Sequence, residues 1–226
     1  MTGAGAHAGD RSRVELVERA VVAAAIALEE AQDELCRLDA AAGDGDEGLA
    51  MATAARAVRK RLNDPPPTDV PEIVSLVATE LSAVGGAMGA LSYVIVSAIG
   101  EKLDEGSALT AARIAEFLAA AEDGVSTFGS AKRGDKSILD AIASARDAAE
   151  ESARNGSTAA GALSAAAAAA REGAKGTAAM EAKVGRASRL GARSRGTVDA
   201  GAESFAIVLT ALADAYVSHE PKNGQA

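Results

Sequence analysis

The run Ser164-Ala165-Ala166-Ala167-Ala168-Ala169-Ala170-Arg171 is nearly pure alanine, and its reading decides the fold class. Alanine has the best intrinsic helix propensity, because it loses no side-chain rotamers and buries no polar group. The run is the extreme of a general bias. Of the 226 residues 58 are Ala, whereas aromatics make up 2%, with no Trp, two Tyr and three Phe. A sheet would need Val, Ile, Tyr and Phe in alternation, and 48% hydrophobic residues is too many for a disordered chain. The composition predicts an all-α fold whose helices approach closely through small side chains. The length suits one large domain or two small ones, at about 100–200 residues per domain.

Working outward from this run, helical periodicity between Gly and Pro breaks predicts eight segments. They are 11–38, 49–62, about 70–84, 87–102, 110–125, 137–154, 158–184 and 199–218. Pro65, Pro66 and Pro67 stop the second, Pro71 suits a first helical turn, and Thr110 and Ser137 are good N-caps. No internal repeat or boundary appears. Residues 11–218 therefore read as one domain, between a flexible N-terminus (1–10) and a flexible tail (219–226).

The formal charge of −9, from 23 basic and 32 acidic residues, argues against a nucleic-acid partner, which requires a basic stripe facing the phosphates. The single cysteine, Cys36, forms no internal disulfide and reads as a buried structural thiol. Residues 1–10 lack the apolar stretch of a signal peptide. The longest apolar run, 88–99, falls short of the ~20 residues of a membrane span. A soluble cytoplasmic protein with no membrane partner is the expectation. The two histidines, His7 and His219, lie in the termini, so neither a Ser–His nor a Cys–His nucleophile is plausible.

The chemistry gathers in four loops. The first reads Leu38-Asp39-Ala40-Ala41-Ala42-Gly43-Asp44-Gly45-Asp46-Glu47-Gly48. Glycine permits the tight turns that let Asp39, Asp44 and Asp46 converge. Converging carboxylates repel unless a cation neutralises them, and hard oxygen ligands suit Mg²⁺ or Ca²⁺. A turn in which the Asp side chains cap backbone amides is an equally good reading of these residues alone, and the spacing is not that of an EF-hand. The second loop, Val84-Gly85-Gly86-Ala87-Met88-Gly89-Ala90, opens a helix, where free amides and the positive dipole end hold phosphate; close helix packing is the alternative. The third is Gly129-Ser130-Ala131-Lys132-Arg133-Gly134-Asp135-Lys136-Ser137. The fourth runs from Gly185-Arg186-Ala187-Ser188 through Leu190-Gly191-Ala192-Arg193-Ser194-Arg195 to Asp199-Ala200-Gly201, a basic island in an acidic chain.

In this order and spacing the four loops resemble the nucleotide-binding (L-type) subunit of the dihydroxyacetone kinase family, with matching segments from about residue 38 to 212. The resemblance implies a barrel of about eight antiparallel helices with the nucleotide site at one end. It implies that Asp39, Asp44 and Asp46 hold two Mg²⁺ ions on the phosphates of ATP or a tightly bound ADP. It further implies that Glu47, Gly48, Leu49, Ala50, Ala87 and Met88 line the phosphates and nucleotide. Gly129 and Ile138 fall near the base, and Arg186, Asp199, Ala200 and Gly201 complete the pocket. Arg186 is the candidate catalytic residue, offsetting charge that develops in transfer. No ring is obviously available to stack on a base, so aliphatic side chains such as Ile138 are expected to cover it.

The implied activity is that of half a glycerone-type kinase. A separate substrate-binding K-type subunit supplies the ketose and its anchoring His, for which this chain has no candidate. A sugar-phosphotransferase phosphodonor protein is a further implied partner where ADP stays bound, and a homodimer is left open. The chain departs from the family pattern at Glu47 (commonly His or Thr), Ala50 (Asn), Met88 (Ser) and Ala200 (Pro). These departures motivate one rival, a non-catalytic regulator of the same fold. The other rival is the nucleotide-binding domain of fatty-acid kinases, disfavoured because that domain usually begins a much longer chain.

Overall fold

A computed structural model describes residues 3–103 and 108–219, with side chains from residue 11 onward. Nine α-helices occur among them: α1 (Gly3–Glu30), α2 (Gln32–Ala40), α3 (Glu47–Leu62), α4 (Val70–Ser82), α5 (Gly86–Gly100), α6 (Ala111–Gly129), α7 (Ile138–Arg154), α8 (Ala159–Gly176) and α9 (Ala200–His219). A 3-10 turn at Thr177–Ala179 and a longer 3-10 stretch, Arg186–Ser194, lie between α8 and α9. The described residues contain no strand, as the alanine bias requires.

The helices close into a ring. Each of α3 to α8 packs on the next, α8 packs on α9, and α9 and α3 both pack on α1. Short connections make neighbours antiparallel: α6 lays Gly124 against Val94 and Ala98 of α5, and Gly129 beside Leu91. The C-terminal ends of α2, α4, α6 and α8 and the N-terminal ends of α3, α5, α7 and α9 therefore meet at one end of the barrel.

Alanine sets the spacing on one side of the ring. Ala141, Ala145 and Ala149 of α7 meet Ala162, Ala166, Ala170 and Ala174 of α8, all fully buried. Gly173 lies so close to α7 that a methyl group there would sit 2.9 Å from the Asp140 carbonyl oxygen. Larger side chains fill the opposite side, where Val14, Val58, Leu62 and Ile73 cluster. Between the two sides remains an apolar cavity of about 260 Å³, lined by residues that include Val21, Met51, Ile95 and Val208.

Several boundaries differ from the sequence expectation. The expected first helix is two, α1 and α2. Hydrogen bonds from Ala31 N to Ala27 O and from Leu35 N to Ala31 O bridge the junction, so the chain bends rather than breaks. α1 reaches back to Gly3, through most of the stretch expected to be flexible. The expected tail lies outside the described residues, apart from His219, which ends α9. α6 continues to Gly129 and stops where Ser130 turns left-handed at φ 54°. The helix expected over 158–184 ends at Gly176, and its remainder becomes part of a long connection. Cys36 is only partly buried, beside Gly48. α9 is long and apolar enough to cross a membrane by length and composition; here it is a ring helix with Ala202, Ala206, Leu209 and Ala213 buried.

Candidate functional site

Asp39, in the last turn of α2, organises the first loop. Its Oδ2 accepts hydrogen bonds from the backbone amides of Gly45 (2.8 Å) and Asp46 (3.1 Å). Gly45 adopts φ 79°, and a methyl group on Gly43 would overlap the Asp39 carboxylate. The glycines therefore let the chain fold back over Asp39, carrying Asp44 and Asp46 beside it. One oxygen from each of the three carboxylates lies within 4.8 Å of the others. Crowding shows in their titration: the Asp44 carboxyl, followed by partial burial, pushes Asp46 above its ordinary value. Asp39 caps the turn through its carboxylate, and the turn brings the three carboxylates together. Three exposed or half-exposed hard oxygen donors fit a divalent cation such as Mg²⁺.

Arg186, at the start of the 3-10 stretch, reaches this cluster from the far side of the sequence. Its guanidinium contacts the Asp44 carboxylate and lies 3.7 Å from Asp46. Gly185 before it has φ 65°. The basic island thus opposes the acidic loop directly through Arg186.

Glu47 behaves differently from expectation. It opens α3, is 9% exposed, and accepts a 2.8 Å hydrogen bond from the Ser204 hydroxyl of α9. Burial pushes its carboxyl up to about 8 against the pull of Ser204, with Asp199 and Asp39 adding to the rise. Its side chain thus faces α9. Gly48 gives α3 its close approach to α2, for a methyl group there would overlap the Gln32 carbonyl and crowd the Cys36 amide. Leu49 is exposed and Ala50 half-buried on the same turn.

The remaining candidates are distributed around this end. Gly85 N-caps α5 and Gly86 takes φ 77°, leaving the first amides of α5 facing the open end beside the exposed Ala87. Met88 packs downward between the core clusters and lies against Gly201. Gly129 is exposed at the end of α6, with the 58%-exposed ring of Phe128 beside it. Ile138 is the first residue of α7 but is 4% exposed, packed with Ile95, Leu139 and Ile142 beneath the loops. The exposed ring near Gly129 is therefore Phe128, while the Ile138 side chain belongs to the core. Asp199 caps α9 by accepting from Ala202 N at 2.9 Å, and burial pushes its carboxyl up to about 6. Ala200 and Gly201 are buried in the first turn that follows.

The structure adds partners that the sequence did not single out. Ser204 is 157 positions from Glu47, and no local signal links them. Thr177, fully buried, accepts from the Asp199 amide through its hydroxyl at 2.8 Å. Lys136, in the third loop, is 3% exposed with φ 61°.

Residues 41–214 match the DAK2 domain model. The chain is 34% identical over 207 residues to a D-erythrulose kinase of Mycolicibacterium smegmatis, covering 90% of this chain and 36% of the relative. It is 31% identical over 180 residues to the ADP-binding subunit DhaL of the PEP-dependent dihydroxyacetone kinase of Escherichia coli, covering 79% and 86%. Among solved structures, the dihydroxyacetone kinase of Citrobacter freundii, also determined with AMP-PNP and Mg²⁺, superposes with a TM-score of 0.68 and 28% identity. That match covers 88% of this chain and 34% of the kinase. The chain thus spans about a third of the erythrulose and dihydroxyacetone kinases that it matches, and most of DhaL. With its helical ring and, apart from Asp39, its candidate site residues inside the matched region, the chain belongs to the DAK2-domain family.

Proposed function

We propose that this chain is the Mg–ADP/ATP-binding, phosphoryl-transfer part of a dihydroxyacetone or related ketose kinase, acting with a K-type substrate-binding partner. The observation that carries the reading is the convergence of Asp39, Asp44 and Asp46 under Arg186 at the end of the barrel. The relatives support it: one is the ADP-binding subunit of a dihydroxyacetone kinase, others are erythrulose kinases, and a structural neighbour was determined with AMP-PNP and Mg²⁺.

Phosphoryl transfer asks a protein mainly for positioning and charge neutralisation. Asp39, Asp44 and Asp46 hold two Mg²⁺ ions in this reading, and the ions supply neutralisation of phosphate oxygens. The amides at the starts of α3 and α5 orient the phosphates. Arg186, already next to the carboxylates, offsets the charge that grows on the moving phosphoryl group. Phe128, Gly129 and Met88 bound the side of the site nearest α5 and α6, where the base is expected. The ketose and its anchoring His belong to the partner. Where ADP is retained as a fixed coenzyme, a phosphotransferase phosphodonor protein restores the phosphate.

Titration calorimetry with ADP in the presence and absence of Mg²⁺ tests the reading. Metal-dependent binding below millimolar nucleotide supports it, and no binding at millimolar Mg–ADP points instead to a regulator of the same fold. Mass analysis of nucleotide carried through purification separates the two modes of use, since retained ADP marks the phosphodonor-dependent one. Robust ketone phosphorylation by the chain alone would overturn the division of labour.

A further inference from the structure

Lys136 is a buried cation with no part in the chemistry above. It lies in the third loop, just before Ser137, whose hydroxyl caps α7 in a reciprocal capping box with Asp140. A left-handed backbone is costly for a residue with a Cβ and persists only where surrounding contacts impose it. Those contacts are specific. The Lys136 ammonium donates to the carbonyl oxygen of Thr177 at 2.6 Å and to the carbonyl oxygen of Thr197. An ammonium carries three donors and no acceptor, so a single Lys can hold two carbonyls at once.

The positions of those carbonyls give the contact its meaning. Thr177 is where the chain leaves α8, and Thr197 is where it returns just before α9. The segment between them is long for a connection in a compact domain, and it carries Arg186. Both of its ends are thus fastened to one side chain. The base is reinforced by Gly196 N donating to Ala178 O (2.8 Å) and by the Asp199 amide donating to the Thr177 hydroxyl. From the third loop, the Asp135 carbonyl accepts from Lys183 N at 3.0 Å, and its carboxylate lies 3.4 Å from the Lys183 ammonium. Burial lowers the pKa of Lys136, and Asp199 and Asp140 pull it back, so carboxylates offset the charge from two sides.

We propose that Lys136 is a positioning residue that clasps the base of the 177–197 arm and thereby holds Arg186 over the Asp39–Asp44–Asp46 cluster. The arm is built to need such a clasp. Gly185, Gly191 and Gly196 all take positive φ, and its 3-10 stretch has one buried side chain, Ser194. Fastening at the base substitutes for the packing that a helix would provide.

Tryptic cleavage of the chain tests this without nucleotide. Arg186, Arg189, Arg193 and Arg195 all lie in the arm, whereas Arg56, Arg59 and Arg61 in α3 report on the ring. Lys136→Met keeps the apolar stem and removes the donors. It should accelerate cleavage in the arm roughly tenfold or more while α3 sites stay at the wild-type rate, because cleavage follows local opening. Thr177→Val removes the hydroxyl beside the clasp with little change in shape, and should give a smaller acceleration at the same sites. Wild-type cleavage in folded Lys136→Met, or equal acceleration at all sites, would make Lys136 a simple core residue and overturn the proposal. Should Lys136→Met not fold, Lys136→Gln, which keeps a polar stem but cannot hold both carbonyls as a charged donor, decides by the same two criteria. A Mg–ADP titration adds a second readout that rests on the proposed function: the clasp variants should bind more weakly. If the wild type itself binds no Mg–ADP, that function fails while the cleavage result still judges the clasp.

Discussion

At the scale of single residues, the acidic loop and Glu47 make opposite demands on charge. Asp44 is exposed, and its carboxylate meets the cluster and Arg186 but no part of the core. Asp44→Ala should therefore leave the helical circular dichroism intact. It should weaken Mg-dependent ADP binding by roughly a hundredfold or more, beyond the about 10–100-fold cost of losing a mere outer-shell partner. Unchanged affinity by calorimetry would reduce the loop to a turn. Glu47 titrates near 4.5 when unfolded and at about 8 when folded. Between those values the native state holds a proton that the unfolded state has released. This contribution to stability is complete below about pH 4.5 and is lost as the pH rises through 8. In chelator, Glu47→Gln should match the wild type near pH 4 and exceed it by about 3–5 kcal/mol near pH 8.5, read from denaturant midpoints. A parallel pH dependence in both proteins would refute the assignment. The carboxylate cluster was legible because glycine spacing acts locally. The burial of Glu47 was not, because its partner Ser204 arrives from the other end of the chain.

At the scale of elements, packing depends on how little side chain separates the helices. Ala166 is fully buried between α7 and α8. Ala166→Leu should cost about 1–3 kcal/mol by overpacking, measured by chemical denaturation, although leucine is also a good helix former. Gly48→Ala should cost as much for a different reason, since its methyl group would meet backbone of α2 rather than a movable side chain. It should also lower nucleotide affinity if, as proposed, the first amides of α3 orient the phosphates. Wild-type stability in both variants would show that the ring is looser than its contacts imply. Helix identity was readable from alanine content and from the caps Thr110 and Ser137, each of which accepts from an amide in the first turn of the helix it precedes, as Asp69 and Thr158 also do in the structure. Helix ends without such caps were not. The stop at Gly176 coincides with a tertiary contact, Lys136 taking the Thr177 carbonyl just beyond it.

At the scale of the whole molecule, closure of the ring depends on α1 meeting α9, a contact between the two ends of the described chain that no local pattern announces. Closure brings the loops to one end, so a ligand bound there touches the termini of α2, α3, α5, α7 and α9 together and should stabilise the ring as a unit. Free ligand at a hundred times its Kd adds about 2.7 kcal/mol. For a domain of this size each kcal/mol raises Tm by roughly 2–4 °C. Saturating Mg–ADP should therefore raise the melting temperature by about 5–10 °C, observed by circular dichroism at fixed protein concentration. ADP with EDTA should give no shift, because the three carboxylates then face the phosphates uncompensated. Lys136→Met should give a reduced shift, since an arm that wanders forfeits part of its contact with the ligand. A full shift without metal would mean that nucleotide is held by the helix N-termini and Arg186 alone, with the acidic cluster left aside.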